Sequence, residues 1–167
     1  MKVLCLATQP YGIDIMTNMV KIAFSFVSSQ DDWFLLVSMH PNESSVFENS
    51  YKSILRHALI DGYATISHGN IYHNLNASDH VVTYFSTAGL EAFSLGKSVS
   101  SYRPADNLAV PFDLCDLGIA KPFTTTQELT NLILNKTEES NLSEGLKRLR
   151  DGKSVERITK YILECVS

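Results

Sequence analysis

Ser78 to Arg103, SDHVVTYFSTAGLEAFSLGKSVSSYR, is the stretch from which the fold can be read. His80 to Tyr84 is β-branched and apolar, the pattern of a strand buried on both faces. Ser86 and Thr87 follow at once and can cap a helix. Gly96 is the expected C-cap, and Ser98 to Tyr102 begins the next strand. A strand that feeds directly into a helix leaves free backbone N–H groups and a positive dipole end at the sheet edge. Such an end suits an anion, phosphate above all.

At about 100° per residue, Ala88, Leu90, Ala92, Phe93 and Leu95 fill a broad apolar arc of this helix. Gly89 lies within the arc, where it lets the helix approach the sheet closely. Thr87, Glu91 and Ser94 share the remaining strip, so Glu91 is the one charge on a mostly buried helix. Helical side chains lean toward the N-terminus. A phosphate at Ser86 and Thr87 would then lie about 5–6 Å, one turn, from the Glu91 carboxylate, within reach of a sugar hydroxyl. From the residues alone a second reading stays open, with Ser86 only a cap and Glu91 a solvated acid near a helix start.

The stretch resembles the nucleotide-binding segment in the C-terminal domain of GT-B glycosyltransferases. It is also similar to that of UDP-N-acetylglucosamine 2-epimerases and CDP-glycerol glycerophosphotransferases. The matching pieces are ASD (Ala77 to Asp79), TYFSTAGLEA (Thr83 to Ala92) and LGKSV (Leu95 to Val99). The resemblance implies that the helix start holds the diphosphate of a nucleotide sugar and that Glu91 takes the ribose hydroxyls. Retaining members often carry another Glu eight residues earlier; here that position is Thr83, so the match to that subgroup fails.

Outward from this stretch the pattern alternates. Lys2 to Thr8 reads as a strand, Ile13 to Val27 as a helix with Ile15, Met19, Ile22, Ala23 and Phe26 on one face, and Trp33 to Met39 as a second strand. Ser44 or Ser45 can cap a helix running to about His57. Tyr63 to Ser67 is the third strand, and Ile71 to Ala77 a short helix. Asp113 to Ala120 is expected to carry a short strand, with a helix from Gln127 to Leu134 capped within Thr124 to Thr126. Asn135 to Asn141 reads as a loop. Leu142 to Arg150 and Ser154 to Val166 read as terminal helices, the last docking through Ile158, Tyr161, Ile162 and Cys165. This predicts an α/β fold: a single Rossmann-like, doubly wound parallel sheet of about six strands with right-handed crossovers. By the resemblance it is the C-terminal half of a GT-B architecture.

The composition narrows the function. The 167 residues are 44% hydrophobic and 19% charged, enough for a full core, and the net charge is −4. Lys and Arg are scattered, so no nucleic-acid partner is expected. No apolar run reaches membrane-spanning length. Cys5, Cys115 and Cys165 are odd in number and far apart, which suits reduced thiols and a cytoplasmic setting. No His, Asp and Glu set has metal-ligand spacing, so no metal or bound cofactor is expected.

In an open α/β sheet, ligands lie beyond the carboxyl ends of the strands, where strand order reverses. The loops there hold His40, His68, Ser86, Thr87 and Arg103. His40 follows an apolar strand and precedes Pro41, which restricts its backbone; it could carry a proton or bond a phosphate, or only bond a neighbouring carbonyl. His40-Pro41-Asn42 is similar to the His-Pro after the corresponding strand of the epimerases and glycerophosphotransferases, which implies a catalytic place for His40. His68 and Arg103 are further substrate-binding candidates, each equally explicable as a turn or surface residue; Asp106 and Asn107 rank below them. His57, His73 and His80 read as structural or exposed.

The expectation is therefore a domain, residues 1–167, that binds a nucleoside-diphosphate sugar as the donor of a glycosyltransferase, with UDP as the favoured base and cell-surface polysaccharide or glycoconjugate as the product class. The GT-B families have two such domains, so the acceptor-binding N-terminal domain is expected on a separate domain or subunit. A UDP-sugar 2-epimerase half and a non-catalytic nucleotide-binding partner subunit are the alternatives.

Overall fold

The computed structural model describes residues 1–104, 113–135, 144–148 and 150–166. Two compact units are present, residues 1–137 and 138–167.

The first unit is built on six parallel strands: β1 (Lys2–Ala7), β2 (Trp33–Ser38), β3 (Ala64–Ser67), β4 (His80–Thr83), β5 (Ser98–Tyr102) and β6 (Lys121–Phe123). Their order is β3-β2-β1-β4-β5-β6, so the direction of winding reverses between β1 and β4. Between and after the strands lie α1 (Ile13–Ser28), α2 (Ser45–Ile54), α3 (Arg56–Asp61), α4 (Ile71–Asn76), α5 (Thr87–Ser94) and α6 (Thr126–Leu134). α1 packs against α2 and α6, and α4 against α5. This is the expected doubly wound sheet. β4 is buried along its whole length, as its apolar run requires.

Three sequence expectations need correction here. The buried stripe of α1 is Met16, Met19, Val20, Ala23, Phe26 and Val27; Ile15 and Ile22 lie at its margin, partly buried against the core. The helix is apolar on two adjacent stripes, and packing against both α2 and α6 decides which one is covered. Asp113 to Ala120 carries no strand: Leu114 to Gly118 form turns, and the strand is Lys121–Phe123. Pro122 has no backbone N–H to donate, but β6 pairs only with β5 among the described residues, and an edge strand tolerates the missing donor. The helix after Ser44 is also divided, because its chain turns at Leu55, which is wholly buried, before resuming as α3.

Part of the stretch from Ala77 to Val99 serves the lower end of the sheet. The Asp79 carboxylate accepts the Val3 N–H at 2.8 Å and Asp79 N–H donates to Val3 O at 2.9 Å, which seats β4 beside β1. Lys97 Nζ donates to Asn76 O at 2.9 Å and Ser78 O at 2.7 Å, holding the α5–β5 turn to the end of α4. Gly96 permits that turn with φ 78.

His80, also at this end, is buried and shares a 2.9 Å hydrogen bond with Ser100 Oγ. Burial pushes its imidazole down to about 4. The unfolded chain then binds one proton more than the native one between pH ~6.5 and pH ~4. Stability is full above that window and falls as pH drops through it, by at most about 3 kcal/mol. Thermal melts between pH 7 and 4.5 should show this slope, and His80→Gln should flatten it; equal slopes in both proteins would contradict the assignment.

The second unit contains α7 (Glu144–Arg148) and α8 (Ser154–Val166). Arg157 joins their ends, donating to Asp151 Oδ2 at 2.6 Å and to Arg148 O at 2.8 Å. Within this unit Ile158, Tyr161 and Ile162 stand exposed. The expected loop lies largely outside the described residues, and so does the Cys165 side chain.

Candidate functional site

The reversal of winding places the ends of β1 and β4 side by side, with β5 next to β4. Carbonyls here leave the ladder as the strands diverge, and hydroxyls replace the lost donors. Thr83 Oγ1 donates to Ala7 O at 3.2 Å and Ser101 Oγ to Tyr84 O at 2.5 Å. On the α1 side the rim is filled by rings: Tyr11 against Tyr84 at 5.7 Å and Phe85 at 5.0 Å, and Tyr84 against Phe85 at 4.7 Å. On the α5 side the rim is open, since Thr87 is exposed and Ser86 only half-buried.

α5 begins as its sequence implies. Ser86 is the N-cap, its Oγ accepting the Ala88 N–H at 3.2 Å, and Gly89 N–H donates to Ser86 O at 3.0 Å. The amides of Ser86 and Thr87 meet no acceptor among the described residues. The first turn of α5 carries no acid, whereas Asp14 occupies the first turn of α1. Of the two helix starts at the switch point, α5 is thus the one that favours an anion.

Gly89 explains how this start comes so close to the sheet. A Cβ there would lie 2.6 Å from Leu114 Cδ1 and 3.1 Å from Thr83 Cγ2. The apolar arc of the helix buries Ala88, Gly89, Ala92 and Phe93, while Leu90 is half-buried and Leu95 is exposed. Glu91 is half-buried, and its Oε2 is covered yet has no hydrogen-bond partner among the described residues. Two further buried polar atoms without partners flank the same switch point, Gln9 Oε1 beyond β1 and the Tyr84 hydroxyl beyond β4. Burial, with Tyr11 beside it, pushes the Tyr84 phenol up, and Arg103 opposes this. Trp33 Nε1, at the start of β2, is a fourth such atom among the described residues. Buried polar atoms are rarely left unpaired, so the covered Glu91 oxygen beside the α5 start calls for a partner.

The other candidates separate. Arg103 stands beyond β5, and its guanidinium forms an ion pair with Asp113. Burial alone would raise the Asp113 carboxyl, but Arg103 and the amides of Cys115 and Asp116 outweigh it and hold it below the usual range. His40 stands beyond β2, two strand places from β4, about 10 Å at ~4.8 Å per strand. Its Nδ1 accepts the Asn42 N–H at 3.1 Å, which leaves the proton on Nε2. His68 is remote at the outer strand β3 and bonds Glu48 Oε1 at 3.2 Å, and Glu48 also holds Lys52 at 2.7 Å. Ser86, Thr87 and Glu91 thus share one helix, Arg103 follows the neighbouring strand β5, His40 lies across β1 and His68 stands apart. Asp106 and Asn107 lie outside the described residues.

Sequence reasoning missed Glu43. Its Oε2 accepts Thr8 Oγ1–H at 2.5 Å and the His40 N–H at 2.8 Å, and its Oε1 accepts the Tyr51 hydroxyl at 2.6 Å. Burial and the Glu43 carboxylate push the Tyr51 phenol well above its usual range. The one signal was an acid three residues after His40; its other partners come from β1's end and α2.

No family model and no curated protein matches the sequence. Solved structures do match. The S. aureus MnaA–UDP co-structure is similar with a TM-score of 0.66 at 20% identity, over 96% of this chain and 45% of that one. UDP-GlcNAc 2-epimerase from Neisseria meningitidis bound to UDP-GlcNAc gives 0.64 at 15%, over 98% and 45%. The C-terminal domain of a glycosyl transferase group 1 family protein (LpcC) from Francisella tularensis gives 0.53 at 15%, over 95% and 85%. The chain thus shares the fold of a GT-B half domain and spans less than half the length of the first two of these chains.

Proposed function

We propose that this domain binds a nucleoside-diphosphate sugar and serves as the donor half of a glycosyltransferase. The observation that carries the reading is Glu91. A covered carboxylate oxygen sits on the same helix, one turn from two backbone amides at its start, and none of the three has a partner among the described residues. The amides of Ser86 and Thr87 would take the diphosphate, and the dipole of α5 would favour its charge. Glu91 would accept the ribose hydroxyls. Arg103 stands one strand away and could share its guanidinium between Asp113 and a phosphate oxygen. His40, with its proton on Nε2, would serve the transferred group as proton donor. No residue of this chain is assigned to the acceptor, which a further domain or subunit would hold.

UDP is the base we favour, because the structural relatives named above include complexes with UDP and UDP-GlcNAc. Among the described residues, no helix is long and apolar enough to cross a membrane. Cys5 and Cys115 are unpaired, which fits the cytoplasmic setting where such donors are used. A second reading, the donor half of a UDP-sugar 2-epimerase, is favoured by the higher TM-score of the Neisseria meningitidis UDP-GlcNAc 2-epimerase, 0.64, than of the LpcC domain, 0.53.

Calorimetric titration with UDP, CDP and GDP tests the reading. Saturable binding of one diphosphate, UDP above the others, is expected. Binding of none would overturn it in favour of a structural partner subunit.

A further inference from the structure

The Glu43 carboxylate joins three elements. It accepts from Thr8 at the end of β1, from the Tyr51 hydroxyl on α2, and from the backbone N–H of His40. The turn it belongs to is closed twice, since Glu43 N–H also donates to His40 O at 3.0 Å. Inside that turn the Asn42 N–H reaches His40 Nδ1. Tyr51 is wholly buried and Thr8 nearly so, so two of the three donors sit on fixed scaffold. No cation pairs with this half-buried carboxylate among the described residues, so these three hydrogen bonds are what hold it.

We infer that Glu43 is a positioning residue for His40. Its carboxylate fastens the His40-Pro41-Asn42 turn to the sheet and so holds the imidazole with Nδ1 as acceptor and the proton on Nε2. The turn cannot drift without breaking a charge-assisted bond to His40 N–H, and drift would also take the Asn42 N–H from Nδ1. The structural content stands by itself. Only its consequence for transfer, a proton donor kept in one tautomer and one place, rests on the donor-binding reading above.

The test uses the unliganded protein, so its outcome does not depend on nucleotide binding, which the diphosphate titration decides separately. In the wild type, the NMR signals of the two His40 ring nitrogens should report an unprotonated Nδ1 and a protonated Nε2. In Glu43→Gln the amide supplies one acceptor oxygen where the carboxylate supplies two. The ring signals should move toward the average of mixed tautomers, and the Asn42 amide should exchange hydrogen about tenfold faster or more. Glu43→Asp keeps the charge but is too short to reach all three donors, and should behave likewise. Tyr51→Phe removes one bond to Oε1 and leaves the Oε2 pair. It should lower the melting temperature and leave the His40 signals in place. Folded Glu43 variants with wild-type His40 signals would overturn the inference. So would failure of both to fold, which would make Glu43 a folding element and nothing more.

Discussion

Replacing Glu91 with alanine should lower the affinity for UDP by ~10- to 100-fold and leave the unliganded domain no less stable. The two halves of this result have one cause. Glu91 Oε2 is covered and makes no hydrogen bond within the described protein, so its removal takes no native bond away. Alanine is also the better helix former, by a few tenths of a kcal/mol. With a nucleotide present the balance reverses, because a charge-assisted bond from a ribose hydroxyl contributes about 1.5–3 kcal/mol. Paired measurement of melting temperature and UDP affinity checks this. A drop in stability with unchanged affinity would make Glu91 a structural residue.

The second large effect belongs to Gly89. Valine there should destabilise the first unit by about 3 kcal/mol, lowering its melting temperature by roughly 10 °C. The first added carbon already collides with Leu114 and presses on Thr83. Both neighbours are buried, at 1% and 0% exposure, so neither can swing into solvent. Alanine should cost less, about 1 kcal/mol or under, since its gain in helix propensity offsets part of the crowding. In both variants α5 must lift from the sheet, which carries the Ser86 and Thr87 amides away from the switch point, so UDP affinity should fall with stability. A Gly89→Val protein that melts like the wild type would show that the close approach is not needed.

Gly89 also illustrates what a sequence can disclose. A glycine inside an apolar arc signals close packing without naming the neighbour, and Leu114 comes from beyond β5. The same limit explains the displaced face of α1, where two apolar stripes compete and the packing partner, α6, is a hundred residues away in the chain. β4, α5 and β5 were legible because their strand pattern, cap and terminating glycine are local. The strand at Lys121–Phe123 was not, because Pro122 is acceptable only on an edge, and edges are a property of the assembled sheet. At the candidate site, Ser86, Thr87 and Glu91 could be read together because one helix carries them all. Glu43 could not, because its meaning lies in Thr8 and Tyr51. His68 was grouped with the site by its strand-end position, yet strand order sets it at the far side of β2, bonded to Glu48.

The central claim is that the start of α5 receives the charge of a nucleoside diphosphate. Titrating the labelled protein with UDP and following backbone amide signals tests it directly. The Ser86 and Thr87 amide protons should show the largest downfield shifts, saturating with the same affinity as calorimetry gives. Saturable binding with those two amides unmoved, or the largest shifts at a different strand end, would contradict the account.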